Sequence, residues 1–159
     1  MWLPGSYAGG SPASADFDLI LEGLRSLGRE DLVALVEAGR EGFVLFMLDN
    51  DSASLGANAN VIFETVPESV SLDAIVDQSI AFFPSGVSVL ERGNLTIGSQ
   101  GAVRVLIQFD LGEFMSRSLQ YYFKAGTGLW VVTYSHVFPD FEAALETFER
   151  SAGTIRVGQ

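Results

Sequence analysis

Between residues 87 and 137 the sequence sets four extended stretches end to end, 87–97, 102–110, 117–125 and 129–137, with only short turns between them. Each is rich in β-branched and aromatic residues, and Gly-containing segments such as "PSG", "GSQG" and "AGTG" punctuate them. Strands that follow one another through short connections pair antiparallel with their neighbours. The chain is therefore committed to an antiparallel meander, and its helices have to pack on the faces of that sheet.

The remaining elements follow from periodicity and capping. After a Gly/Ser/Pro-rich, loop-like segment over 1–15, Asp16 is placed to cap a helix with Phe17, Ile20, Leu21, Leu24 and Leu27 on one side and Gly28 at its end. A second short helix is expected over 30–38, with Leu32, Leu35 and Val36 together. "FVLFMLD" and "NVIFETV" are strands; the first is apolar at both parities, as in a central strand covered on both faces. Ser71 caps a third helix whose stripe is Leu72, Ile75, Val76, Ile80 and Phe83. Asp140 caps the last, with Phe141, Ala144, Leu145 and Phe148 inward. The fold class is α+β: one domain over 1–159, with an antiparallel sheet of about six or seven strands sandwiched by helices.

A two-residue turn centred on Gly126 and Thr127 fixes the register of the last hairpin, opposing Phe123 to Trp130, Tyr121 to Val132 and Leu119 to Tyr134. That face is apolar. The other carries Ser118, Gln120, Tyr122 and Lys124 beside Leu129, Val131, Thr133 and Ser135. Extending the pattern puts Val103, Val105, Ile107 and Phe109 on the apolar side, and Arg104, Leu106, Gln108 and Asp110 on the polar one. A row Gln108–Gln120–Thr133 then crosses three strands. The polar face, with Arg104, Gln108, Gln120, Tyr122, Lys124 and Thr133 above Leu106 and Val131, is the candidate surface for a ligand or partner.

Catalytic chemistry finds little support. Ser135, His136 and Asp140 lie close in sequence, but adjacent strand residues leave opposite faces, so Ser135 and His136 cannot be a nucleophile–base pair. His136, opposite Arg117, is expected at the rim. "AGTGLW" is a hairpin turn rather than a dinucleotide loop. "LDNDSASLGANAN" offers Asp49 and Asp51, without the spacing of a calcium-binding EF-hand. An enzyme would need carboxylates such as Glu64, Asp110 and Glu113 gathered in one cleft. No catalytic residue, metal ligand or cofactor is assigned.

Nine basic against 20 acidic residues give a formal net charge of -11, which argues against nucleic acid and anionic membrane surfaces as partners. No cysteine is present, so disulfides and thiolate chemistry are excluded. The longest apolar run, "FVLFML", is too short to span a bilayer. "MWLPGSYAGG" has neither a basic nor an apolar leader region, so an exported parent would carry its leader or anchor outside this chain.

"LPGSY", "SLDAIVDQSIAFF", "GAVRVLIQFD" with "RSLQYYFKAGTGLWVVTYS", and the closing "LWVVTYSHVFPDFEAALETFERSAGTIRV" together resemble the PsbP-like superfamily. That group embraces PsbP, a Ran-binding import factor, and LpqN- and DcrB-type lipoprotein domains. The resemblance implies an α/β/α sandwich around an antiparallel sheet and a non-catalytic role in binding proteins or small ligands, commonly outside the cytoplasm. The helical insert over 16–38 departs from PsbP itself, and no metal-contacting position transfers. The resulting expectation is an accessory binding domain of an exported or lipoprotein-type bacterial protein, monomeric or weakly dimeric, with an unidentified partner. A chaperone-like holder of apolar segments and a cytoplasmic location are the alternatives.

Overall fold

The computed structural model describes residues 1–26, 28, 30–51, 57–110, 115–138 and 140–156, leaving out the side chains of Asp31, Leu32 and Leu35. The elements run β1 Tyr7–Gly10, α1 Ala15–Ser26, α2 Glu30–Gly39, β2 Phe43–Asp49, β3 Asn58–Thr65, α3 Leu72–Ala81, β4 Val87–Ile97, β5 Gln100–Asp110, β6 Met115–Ala125, β7 Gly128–Val137 and α4 Asp140–Ala152. Among the described residues one 7-stranded sheet has the order β1-β2-β3-β7-β6-β5-β4, antiparallel throughout. The expected meander is its β7-β6-β5-β4 half.

Register fixes the layers. Phe46 and Leu48 lie opposite Asn60 and Asn58, which lie opposite Thr133 and Ser135. These in turn oppose Gln120 and Ser118, and then Val105 and Ile107. Opposed residues share a face, so all of these belong to one side. There Phe46 and Leu48 pack with Phe17, Ile20, Leu21 and Leu24 of α1 and with Val33 and Val36 of α2. Val103, Val105 and Ile107 pack with Ile75 and Val76 of α3. The other side carries Ala59, Leu119, Tyr121, Phe123, Val132 and Tyr134 beneath Phe141 and Phe148 of α4. Tyr134 stacks on Phe148 with centroids 5.2 Å apart. The sheet is thus sandwiched, with three α-helices on one face and one on the other among the described residues.

Several expectations are corrected. The segment over 1–15 is not all loop: Tyr7–Gly10 adds an edge strand on β2. Gly9 has φ 144, and a Cβ there would sit 2.2 Å from the Phe46 carbonyl oxygen, so only glycine lets this strand approach β2. With β1 outside it, β2 lies one position in from the edge rather than centrally. Helix α1 starts a residue before Asp16, and Ser14 Oγ accepts the Phe17 amide instead. Ser71 does cap α3, accepting from the Ala74 amide at 3.2 Å. Leu27 and Glu113, and the 52–56 stretch of the Asp-rich loop, lie outside the described residues.

Strand β5 carries the most consequential correction. Val103 opposes Tyr122, Val105 opposes Gln120 and Ile107 opposes Ser118. The valines and Ile107 therefore face α3, whereas Arg104, Leu106 and Gln108 face α4. Both faces of this strand are helix-covered, so an apolar row does not by itself say which face it belongs to.

Candidate functional site

The six residues picked from the sequence divide between the two faces. Gln120, Tyr122, Lys124 and Thr133 share the face of α1, α2 and α3; Arg104 and Gln108 lie on the face of α4. Leu106 goes with the latter pair and is no floor for the former.

On the α4 side the polar groups are tied into ion pairs. Arg104 reaches Glu91 of β4 and, at 3.2 Å, Glu149 of α4. Arg117 pairs with Glu142, donates to Gln108 Oε1 at 3.1 Å, and lies over the Phe138 ring at 4.6 Å. These contacts anchor the rim of α4 to the sheet. His136, opposite Arg117, is not a rim residue: it is 7% exposed, and Nδ1 has no hydrogen-bond partner among the described residues. Burial pulls its pKa below the ordinary histidine value, against the opposing pull of Asp140 and Asp49. The imidazole is therefore held neutral.

On the other face, the helices make their main contacts toward the two ends of the sheet. Helix α1 packs on β1, and α3 packs on β5 and β6. Between these contacts lie β3 and β7. Across them lies the row Asn60–Thr133–Gln120, and one register step along lies Asn58–Ser135–Ser118. Asn60 and Gln120 are half-buried; Thr133 is buried between them. The Ser118 and Ser135 hydroxyls share a hydrogen bond of 2.6 Å. Gln120 Oε1 accepts from the Tyr122 hydroxyl at 2.7 Å, and Asn60 Nδ2 donates to Asn58 Oδ1 at 3.4 Å. Tyr122 is packed under α3, and burial pushes its hydroxyl pKa up to about 12, so at neutral pH it is a donor and not an anion. Lys124 leaves the row altogether: its Nζ donates to the Glu68 carbonyl at 2.9 Å.

The row itself is neutral, with amides and hydroxyls that both donate and accept, with Ile62 and Val131 half-buried beside them and the exposed Glu64 farther along the same face of β3. Such a row can recognise polar, uncharged groups by hydrogen bonds. Asn58 was missed in the sequence because "GANA" has loop composition, and Asn60, although it opens the strand "NVIFETV", was not joined to the row because nothing in the sequence pairs that strand with β7; the alternation Asn58, Ala59, Asn60, Val61 was the available signal. A second concavity of about 500 Å³ opens between α1 and the β1–β2 edge, with Leu19, Ile20, Leu24 and Met47 among its walls. Among the described residues no three His, Asp or Glu side chains gather as a metal site, and no helix is long and apolar enough to cross a membrane.

No protein-family model matches the chain, and no curated protein sequence does. Among solved structures, cyanobacterial PsbP from Synechocystis sp. PCC 6803 is similar with a TM-score of 0.61 at 13% identity, over 74% of this chain and 75% of that one. A Pseudomonas aeruginosa protein of unknown function, PA94, described as a candidate regulator, is similar with a TM-score of 0.60 at 12% identity, over 69% of this chain and 78% of that one. At such identities the likeness concerns architecture, and the architecture is a PsbP-like fold.

Proposed function

We propose that this protein is a non-catalytic accessory domain that binds a ligand or partner protein in a furrow over β3, β7 and β6. The reading rests on one observation: a neutral hydrogen-bonding row, Asn60–Thr133–Gln120, spans the three middle strands of the sheet. Gln120 Nε2 has no partner among the described residues, so it can donate to an incoming group. The fitting ligand is uncharged and rich in amide or hydroxyl groups, such as a stretch of peptide backbone or a sugar. A role for the domain in an exported or lipoprotein-type bacterial protein draws on the likeness of its fold to PsbP. We take it to act as a monomer or weak dimer outside the cytoplasm.

A chaperone-like role is the second reading, favoured by Leu19 on α1 at 62% exposure and Phe82 at the end of α3 at 77%, on the helices flanking the furrow. Both readings are tested by titrating isotope-labelled protein with neutral oligosaccharides, blocked tripeptides and an apolar helical peptide. Amide shifts concentrated at 58–62, 118–122 and 131–135, and lost in Gln120→Ala, support the furrow. Shifts at Leu19 and Phe82 with the apolar peptide support the second reading. Shifts confined to other surfaces contradict both.

A further inference from the structure

At the other end of the sheet from β1, strand β4 is an edge, and it is long: 11 residues, with 88 to 94 exposed without interruption. Among the described residues no strand pairs with its outer side. Edge strands are ordinarily guarded by lysine, proline, covering elements or strong irregularity. β4 has neither lysine nor proline. Its single irregularity falls between Val89 and Glu91, after which Glu91 to Ile97 pairs residue by residue with β5. Its two charges are drawn sideways from the edge: Arg92 to Asp73 and Asp77 of α3 at 2.8 and 3.2 Å, Glu91 to Arg104 of β5. Gly93 has no side chain to block an approach, and a Cβ placed there would meet nothing within 4 Å. Val89 and Leu90 are 39% and 45% exposed.

Charge selects the occupant. The flanks of β4 carry Asp73, Asp77, Glu91 and Glu149 with side chains 55, 65, 61 and 50% exposed, against Arg92 and Arg104 at 32 and 18%. The carboxylates face solvent and the guanidiniums are withdrawn. A second copy of this chain would bring two such flanks together, on a molecule already at -11. We infer that β4 is a docking edge for an extended basic segment of a partner protein, which adds to the sheet as a further strand. Main-chain hydrogen bonds hold it, and basic side chains opposite Glu91 select it. This surface is separate from the furrow, and the inference does not depend on what the furrow binds.

The test uses two short blocked peptides, one alternating Arg with Val and Thr, the other with Glu in place of Arg. Binding is followed by anisotropy, and amide exchange is mapped on the labelled protein. The Arg peptide should protect alternate amides of β4 and bind at least about tenfold more tightly than the Glu peptide, weakening as salt rises. The double variant Asp73→Asn with Asp77→Asn, altered only at exposed carboxylates, should weaken the Arg peptide roughly three- to tenfold. The inference is overturned if neither peptide binds, if both bind alike, or if the Arg peptide protects another surface. It is equally overturned if the protein alone sediments as a dimer with β4 already protected, which would make the occupant a second copy.

Discussion

Gln108 and Gln120 are the pair that best separates the observed register from the alternative in which they are neighbours. In the structure Gln120 Oε1 accepts the Tyr122 hydroxyl at 2.7 Å, while Gln108 Oε1 accepts from Arg117 Nε at 3.1 Å on the opposite face. Gln120→Ala removes one neutral hydrogen bond to a tyrosine that is only 3% exposed. Ser79 remains beside that hydroxyl as a second partner, so the full penalty of a stranded donor is avoided. The loss should be about 0.5–1.5 kcal/mol, or roughly 1–6 °C in Tm for a domain of this size. Tyr122→Phe should cost a similar amount. The two changes made together should then fall short of additivity by about 0.5–1.5 kcal/mol, because one bond cannot be lost twice. Gln108→Ala combined with Gln120→Ala should add to within about 0.5 kcal/mol, since the two share no partner. Urea unfolding of the five variants and the parent provides the numbers. Strict additivity for Gln120 with Tyr122, or clear coupling between Gln108 and Gln120, would refute the face assignment and the furrow with it.

Three further outcomes follow from the geometry. Ser151→Ala should destabilise by about 1–3 kcal/mol, because this buried hydroxyl donates to the Trp2 carbonyl and bonds Tyr134 Oη at 2.9 Å; a red-shifted Trp2 emission would show the N-terminal segment leaving α4. Gly9→Ala should cost on the order of 2–4 kcal/mol and free β1, since its Cβ would lie 2.8 Å from Ile20 Cδ1 as well as against the Phe46 carbonyl; exchange of the β1 amides reports it. His136 has its pKa depressed by burial, so its neutral form contributes stability that is complete above the unfolded value of about 6.5 and is lost as the pH falls through the folded one. His136→Gln should flatten the stability profile in that window, and an unchanged profile would show that the imidazole protonates freely.

How far the sequence could be read depends on how each strand is tied to its neighbour. The β6–β7 register follows from its two-residue turn, and Phe123, Tyr121 and Leu119 oppose Trp130, Val132 and Tyr134 as that turn requires. No such turn ties β5 to β6, whose connection over 111–114 lies outside the described residues, and β5 is apolar at one parity and mixed at the other. Matching apolar to apolar put Val103, Val105 and Ile107 on the face of Leu119 and Tyr121, when a helix on each side lets Val105 face α3 beside Gln120. The candidate site inherited that choice: Gln120 and Thr133 were found together because they belong to the hairpin, and Arg104 and Gln108 were added through the wrong parity. β1 escaped notice because "YAGG" has almost no intrinsic strand preference, and its pairing is imposed by β2. His136 shows the limit for a single residue, since its burial depends on what packs over the strand end rather than on the strand.

The central claim is that the middle of the sheet, on the face of α1, α2 and α3, is open to a ligand. Its most direct test is the broadening of side-chain amide resonances by a neutral soluble nitroxide. The account predicts strong broadening of the Asn60 and Gln120 NH2 signals, while the core methyls of Val105 and Ile107 beneath α3 stay sharp. Amide signals as protected as those methyls would mean that the furrow is closed and the row is structural.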